Sequence, residues 1–378
     1  MAVPAGSVAD MAFQRLPMPS KVEWADWPEL SYKLGLTDGL PTFPPERSVV
    51  DALVAASGMS ADTVLGLIPP RRQPGSIEAI AANAAMAGCL PEHMPAVVTA
   101  LEAMLEPRFN LPGIVATTHP NWPLIIVSGR AVHDLGMATG ESIFNGGGSR
   151  TNLVIGRAIR LVTWNLGGAY PRRPVQEVMG HPGRMSYCIA EEPDATPWEP
   201  LHEARGVTAP AGAVTVFGCE APQCVNMWGM AGTAEHMLEQ VADQMRARGN
   251  SNVHTMGEIL VVFSPECARS IAEQGFSRRD VQEHLWQRAR RRLGDIRLNR
   301  DGSPAVAPDD SYYWWPEWVD QSNPDEMVPV ADSPDAIHVV VTGGDSIGFA
   351  AVCPSWGALG GFAITRPLPD TQAEGVTR

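Results

Sequence analysis

Two apolar runs dominate the hydrophobic pattern of this chain. Leu124-Ile125-Ile126-Val127 and Ile259-Leu260-Val261-Val262-Phe263 show no polar–apolar alternation, as expected of strands buried on both faces. Around them the period becomes helical. Met94, Val97, Val98, Leu101, Met104 and Leu105 form one stripe, and Leu238, Val241, Ala242 and Met245 another. Val281, Leu285, Ala289 and Leu293 mark a third. Ser76 and Gly88 bracket a helix over 77–87 as N-cap and stop, and Ser277 with Asp280 reads as a capping box. Helices alternating with buried strands predict an α/β fold, a mixed or parallel sheet with helices outside.

The order of elements repeats. A helix opening at Glu92-His93-Met94, the run 124–127 with Ser128, and a helix opening at Ser149-Arg150 match a helix opening at Glu235-His236-Met237, the run 259–263 with Ser264, and a helix opening at Ser277-Arg278. Val214–Phe217 and Ile337–Val341 are read as the closing strands of the two copies. The expectation is two related α/β halves about a pseudo-twofold axis, with a cleft between them. The first repeat spans 76–225 and the second 226–366. Residues 1–75 form an N-terminal arm anchored by Trp24, Trp27 and Tyr32, with short helices at 46–57 and 60–67, and 367–378 is a flexible tail. The Asp-, Pro-, Trp- and Tyr-rich stretch 296–335 is expected to form loops over the second half.

Charge narrows the partners. Lys and Arg number 28 against 42 Asp and Glu, a net charge of −14, which argues against nucleic acid and anionic membrane surfaces but leaves room for a local basic pocket. The first 30 residues lack a signal-peptide pattern, and no apolar run is long enough to span a bilayer. The six cysteines form no CxxC, so reduced thiols in a cytoplasmic setting are expected. The dense basic run Arg288–Arg292 reads as the outer face of a helix, a solvated surface or a contact for a homodimer or companion subunit.

Ligands of open α/β sheets gather at the carboxyl ends of strands, and four such ends carry candidates. Ser128 and Ser264 open helices whose free N–H groups suit an anion, the plainer reading being simple caps. Cys219 and Glu220 follow a buried strand and form a candidate catalytic pair with His119, while a free cysteine is more commonly a small buried hydrophobe. Gly343, Gly344 and Asp345 end the fourth strand, as a ligand contact or a plain turn. The run 144–152 supplies Asn145, Gly147, Gly148, Ser149 and Arg150 for a carboxylate or phosphate, or serves as a connector. It fits neither a P-loop nor a dinucleotide fingerprint, so no nucleotide cofactor is expected. His181 and Arg184 are further substrate-binding candidates in a polar turn. A metalloenzyme would draw on Cys219, Cys224 and His202, although no His-x-x-x-His or HExxH spacing supports it.

Met86-Ala87-Gly88-Cys89, Ala116-Thr117-Thr118-His119-Pro120, Gly156-Arg157-Ala158-Ile159-Arg160-Leu161, Gly180-His181-Pro182-Gly183, Cys188-Ile189-Ala190-Glu191 and Trp198-Glu199-Pro200-Leu201-His202 carry a resemblance. The chain is similar, from about Gly39 to Pro367, to a family of mostly uncharacterised bacterial proteins associated with companions bearing a Sec-Gly-Ser-Cys motif. The resemblance implies thiol or selenol chemistry nearby. It also implies histidines at the positions held here by Gln223, Trp228 and Cys267, so that Cys219 and Cys224 stand as this chain's own replacements. Together these readings predict a soluble enzyme of specialised metabolism acting on a small anionic metabolite, of lyase, isomerase or transferase type. The alternatives are a metalloenzyme and a non-catalytic subunit of a two-protein complex.

Overall fold

The computed structural model describes residues 23–370 apart from 173, 228–231, 300, 304–314 and 347. The tail beyond 370, the first 22 residues of the arm, Trp228 and the centre of the 296–335 stretch lie outside the described residues. Strands β1 (Val64–Ile68) and β2 (Gln73–Ser76) make an antiparallel hairpin. The helix expected over 60–67 is therefore corrected: a turn at 69–72 brings 64–68 a strand partner. The main strands are β3 (Trp122–Ser128), β4 (Cys188–Ala190), β5 (Ala213–Cys219), β6 (Gln223–Asn226) and β7 (Ile259–Phe263). A short pair follows, β8 (Arg290–Arg292) with β9 (Met327–Pro329), then β10 (Ile337–Val341), β11 (Phe349–Cys353) and β12 (Ile364–Pro367).

The chain is an α/β protein built on two four-stranded mixed sheets. One has the order β12-β5-β3-β4 and the other β6-β11-β7-β10. In each, the central strand pairs parallel with one neighbour, β3 with β4 and β7 with β10. It pairs antiparallel with the other, β3 with β5 and β7 with β11. The fourth strand is exchanged: β6 leaves the first half to pair with β11, and β12 returns from the second to pair with β5. The runs 124–127 and 259–263 thus hold corresponding places. The pairing of 214–217 with 337–341 is corrected, because β5 runs antiparallel to its central strand and β10 parallel. In the topology β5 corresponds to β11, and β10 to the short β4.

Period-2 geometry divides the second sheet. Leu260, Val262, Val340, Ala351 and Cys353 share a core with the first sheet, and the Phe217 ring meets His338 edge-on at 5.6 Å. The alternate residues Val261, Phe263, Val339 and Val352 pack in a second core. There they meet the helices Ala234–Met245 and Arg278–Arg288. On the outer side of the first sheet, helix Met94–Met104 lies on β5 and β12, and helix Arg150–Asn165 on β4. The layers run helix, sheet, sheet, helix. Gly156 lets the 150–165 helix come close: a Cβ there would sit 2.7 Å from the Tyr187 nitrogen.

The local signals of the helices are realised. Ser76 accepts from the Ala79 nitrogen at 3.2 Å, Gly88 ends its helix in the left-handed region, and Ser277 and Asp280 cap reciprocally. The arm is part of the molecule's interior: Trp27 is fully buried and donates to the Thr42 hydroxyl at 3.0 Å. The basic run is corrected in part. The helix stops at Arg288, and Arg290–Arg292 form β8. Their partners are internal, Arg288 with Glu239 and Arg292 with Asp295 and Asp325. Among the described residues no helix is long and apolar enough to cross a membrane.

Candidate functional site

A cleft of about 670 Å³ opens at the carboxyl ends of β7 and β10. Val262, Phe349, Ala350 and Ala351 give it an apolar floor from the second sheet, and Ile143, Phe144 and Tyr187 face them from the first half. The halves are tied at its edge. The Thr139 carbonyl accepts from the Gly343 nitrogen at 2.7 Å and from the Thr342 hydroxyl at 2.9 Å. Gly343 has a φ of +100°, a backbone conformation that glycine adopts without the strain a side chain would bring. Asn152 fixes the base of the same loop by bonding both the nitrogen and the oxygen of Ala138, each at 3.0 Å.

Six of the anticipated residues line this cleft: Asn145, His181, Cys224, Ser264, Gly343 and Gly344. Ser264 is a true N-cap, accepting from the Cys267 nitrogen at 3.4 Å while donating to the Ser346 carbonyl at 2.8 Å. Cys224 is exposed, the other five cysteines being buried. His181 is the unusual member. Both ring nitrogens are buried without a hydrogen-bond partner among the described residues, and the ring meets Tyr187 edge-on at 5.3 Å. Burial, helped by the nearby Arg184 guanidinium, pushes its pKa down to about 4, so the imidazole is neutral at physiological pH. His181 and Pro182 also line a second chamber of about 530 Å³, which contains Arg184.

The remaining candidates lie elsewhere. Arg150 gives Nε and Nη2 to the Gly88 carbonyl, at 3.1 and 2.7 Å, and tethers two helices instead of facing the cleft. Ser149 precedes its helix without capping it through the side chain, and Gly147 and Gly148 are in left-handed turns outside the cleft lining. Asp345 pairs with Arg269 at 2.9 Å on the surface. Ser128 is fully buried against His202 Nδ1 at 2.8 Å, so the expectation of an open anion site at its helix is corrected. The idea of Cys219 as an accessible nucleophile is also corrected. The thiol is fully buried beside the Tyr187 hydroxyl at 3.7 Å, and burial pushes it well above the ordinary thiol range. His119 and Glu220 do come together, at 2.8 Å and half-buried, next to the cleft wall at Ala221. Among the described residues no three His, Cys, Asp or Glu side chains converge as metal ligands, so Cys219, Cys224 and His202 are not gathered into a site.

Sequence reasoning missed the walls Tyr187, Val262 and Phe349, which read as ordinary core. It also missed the buried pair Glu258 with His338, and it named Arg184 as a candidate without Arg160, which the fold sets over the same Trp122 ring. Among the described residues, the side chains lining the cleft include no lysine or arginine. No protein-family model matches the chain, and no curated protein is similar to it in sequence.

Proposed function

We propose that this chain is an enzyme that holds a small molecule with an apolar body in the inter-sheet cleft and moves a proton at His181. The single observation that carries the reading is the neutral imidazole of His181, with two unpartnered ring nitrogens in the wall of an apolar cavity. A buried polar atom left without a partner costs about 1–3 kcal/mol, so a bound group that engages either nitrogen recovers that free energy on binding. Neutral imidazole offers one N–H donor and one acceptor at once, the two ends of an acid–base exchange. Cys224 supplies an accessible thiol on the same cleft, which fits the expectation of thiol-assisted chemistry. An apolar cavity with a few converging polar groups is the usual form of a small-molecule site. The anionic character anticipated for the metabolite then belongs to one end of the molecule, since the floor of the cleft is apolar.

The test is a screen of small aliphatic and aromatic compounds by ligand-observed NMR, repeated on Ala351→Phe, which fills the floor, and on His181→Asn. Compounds are expected to bind wild type and to be displaced in Ala351→Phe. A turned-over compound should still bind His181→Asn while its conversion falls about a hundredfold or more, the usual contribution of a general acid or base. Binding that is indifferent to Ala351→Phe, or conversion unchanged in His181→Asn, refutes the reading.

A further inference from the structure

Behind His181, the 530 Å³ chamber brings together charges that are not balanced among the described residues. Arg160, on the 150–165 helix, is 4% exposed, and its Nε and Nη1 have no hydrogen-bond partner among the described residues. Its guanidinium lies 4.8 Å from the Trp164 ring centre and 5.3 Å from that of Trp122. Arg184 lies over the same Trp122 ring at 4.4 Å, and its Nη2 is likewise buried without a hydrogen-bond partner. Of the two carboxylates in the lining, Glu177 pairs with Arg184, and Asp38 is taken by Arg157 at 2.9 Å. Arg160 has no ion-pair partner among the described residues, and Arg172 at the rim has none either. In a chain of net charge −14 this is a local excess of positive charge. Stacking on indole stabilises a guanidinium by about 0.5–2 kcal/mol, which does not offset several kcal/mol for burying an unpaired cation.

We propose that this chamber is an oxyanion subsite, in which Arg160 and Arg184 together bind a carboxylate or a phosphate group. Both guanidinium forks are held in place by Trp122 and Trp164, so little side-chain freedom remains to be lost on binding. The shared wall at His181 and Pro182 sets the subsite beside the apolar cleft. An acid group in the chamber and an apolar body in the cleft describe one amphipathic ligand. The subsite stands on its own residues and holds whether or not the cleft is catalytic.

Isothermal titration with inorganic phosphate, sulfate, acetate and benzoate, against a chloride control, tests it on the full chain. Saturable binding of at least one oxyanion is expected, weakened about tenfold or more in Arg160→Met and in Arg184→Lys. Phosphate binding without carboxylate binding assigns a phosphoryl ligand, and the reverse assigns a carboxylic acid. Arg160→Met removes an unpaired buried charge and should fold at least as stably as wild type. The proposal is overturned if no oxyanion binds wild type above the chloride control, or if binding is the same in both variants. Either result leaves the cleft reading intact, because that is tested by displacement in Ala351→Phe and by conversion in His181→Asn. A sharp loss of stability in Arg160→Met without oxyanion binding by wild type assigns Arg160 to the core alone.

Discussion

The buried charge cluster opposite the cleft permits a quantitative prediction. Glu258, just before β7, accepts from His338 Nε2 at 2.8 Å and from the Ala363 nitrogen at 2.6 Å. Ala363 precedes β12 of the other sheet, and Arg205 bonds its carbonyl at 2.6 Å and Thr365 at 2.7 Å. The carboxylate therefore joins the two sheets. Arg108 also reaches it at 3.1 Å, but that side chain is 65% exposed and contributes little. Glu258→Gln keeps the shape and can keep an oxygen toward His338 and the Ala363 nitrogen, which share Oε2, but it removes the negative charge and turns an NH2 toward Arg108. Two charge-assisted bonds of about 1.5–3 kcal/mol each are weakened, so a loss of roughly 3 kcal/mol is expected. Urea unfolding followed by tryptophan fluorescence should show a lower midpoint at unchanged slope. Burial raises the Glu258 pKa, but His338 and the Ala363 N–H outweigh it and hold the carboxyl below its usual range. Burial holds His338 low as well. Both shifts are depressions, so both contribute stability at neutral pH that is lost on acidification, His338 from about 6.5 downward and Glu258 from about 4.5 downward. The difference between wild type and Glu258→Gln should therefore persist from pH 8 to about 5 and shrink only below it. A change under about 0.5 kcal/mol at pH 7, or a difference gone by pH 6, refutes the reasoning.

Two further outcomes follow from residues the fold has placed. Arg150→Ala removes both donors to the Gly88 carbonyl and should cost about 1–2 kcal/mol of stability without changing affinity for cleft ligands; a tenfold affinity loss at unchanged stability would return Arg150 to the site. Iodoacetamide on the native protein should alkylate Cys224 first, with cleft ligands slowing it, and Cys219 only on unfolding; peptide mapping that finds Cys219 modified before Cys224 contradicts the placement.

Local signals were legible in the sequence, and long-range ones were not. The runs 124–127 and 259–263 announced central strands because burial on both faces leaves no polar positions. Ser76, Gly88 and Ser277 announced helix ends because capping is decided within four residues. By contrast, Cys188-Ile189-Ala190 is too short to stand out as a strand, and it becomes one only beside β3. Arg150 looked like an anion ligand because a guanidinium at a glycine-rich helix start carries that chemistry. The Gly88 carbonyl that takes it lies 62 positions away. Arg160 shows the opposite case. Nothing around it in the sequence marks it as more than one charge on a helix face, and only folding sets it against Trp122 and Arg184. His181 was visible as a polar-turn histidine, yet the two cavities on either side of it were not.

The position of the cleft follows from an inequality between two otherwise corresponding sheets. In the first, the chain from β4 to β5 runs over residues 191–212 and includes the short helix Leu201–Ala204. That segment fills the strand ends: His202 closes on Ser128, and the Leu201 nitrogen donates to the buried Glu191 carboxylate at 2.8 Å. In the second sheet the corresponding connection, from β10 to β11, is only residues 342–348. It is too short to carry a helix back across the sheet. The counterpart of Ser128 is Ser264, and it borders open space. What lies against that space comes instead from the first half, the 141–145 loop and the His181–Gly183 turn. The same topology thus gives one plugged strand end and one cavity, and the open end is the one that meets the unpartnered imidazole. A longer β10–β11 connection would fill the cleft without touching either core, so the cavity is set by loop length and the cores by the sheets.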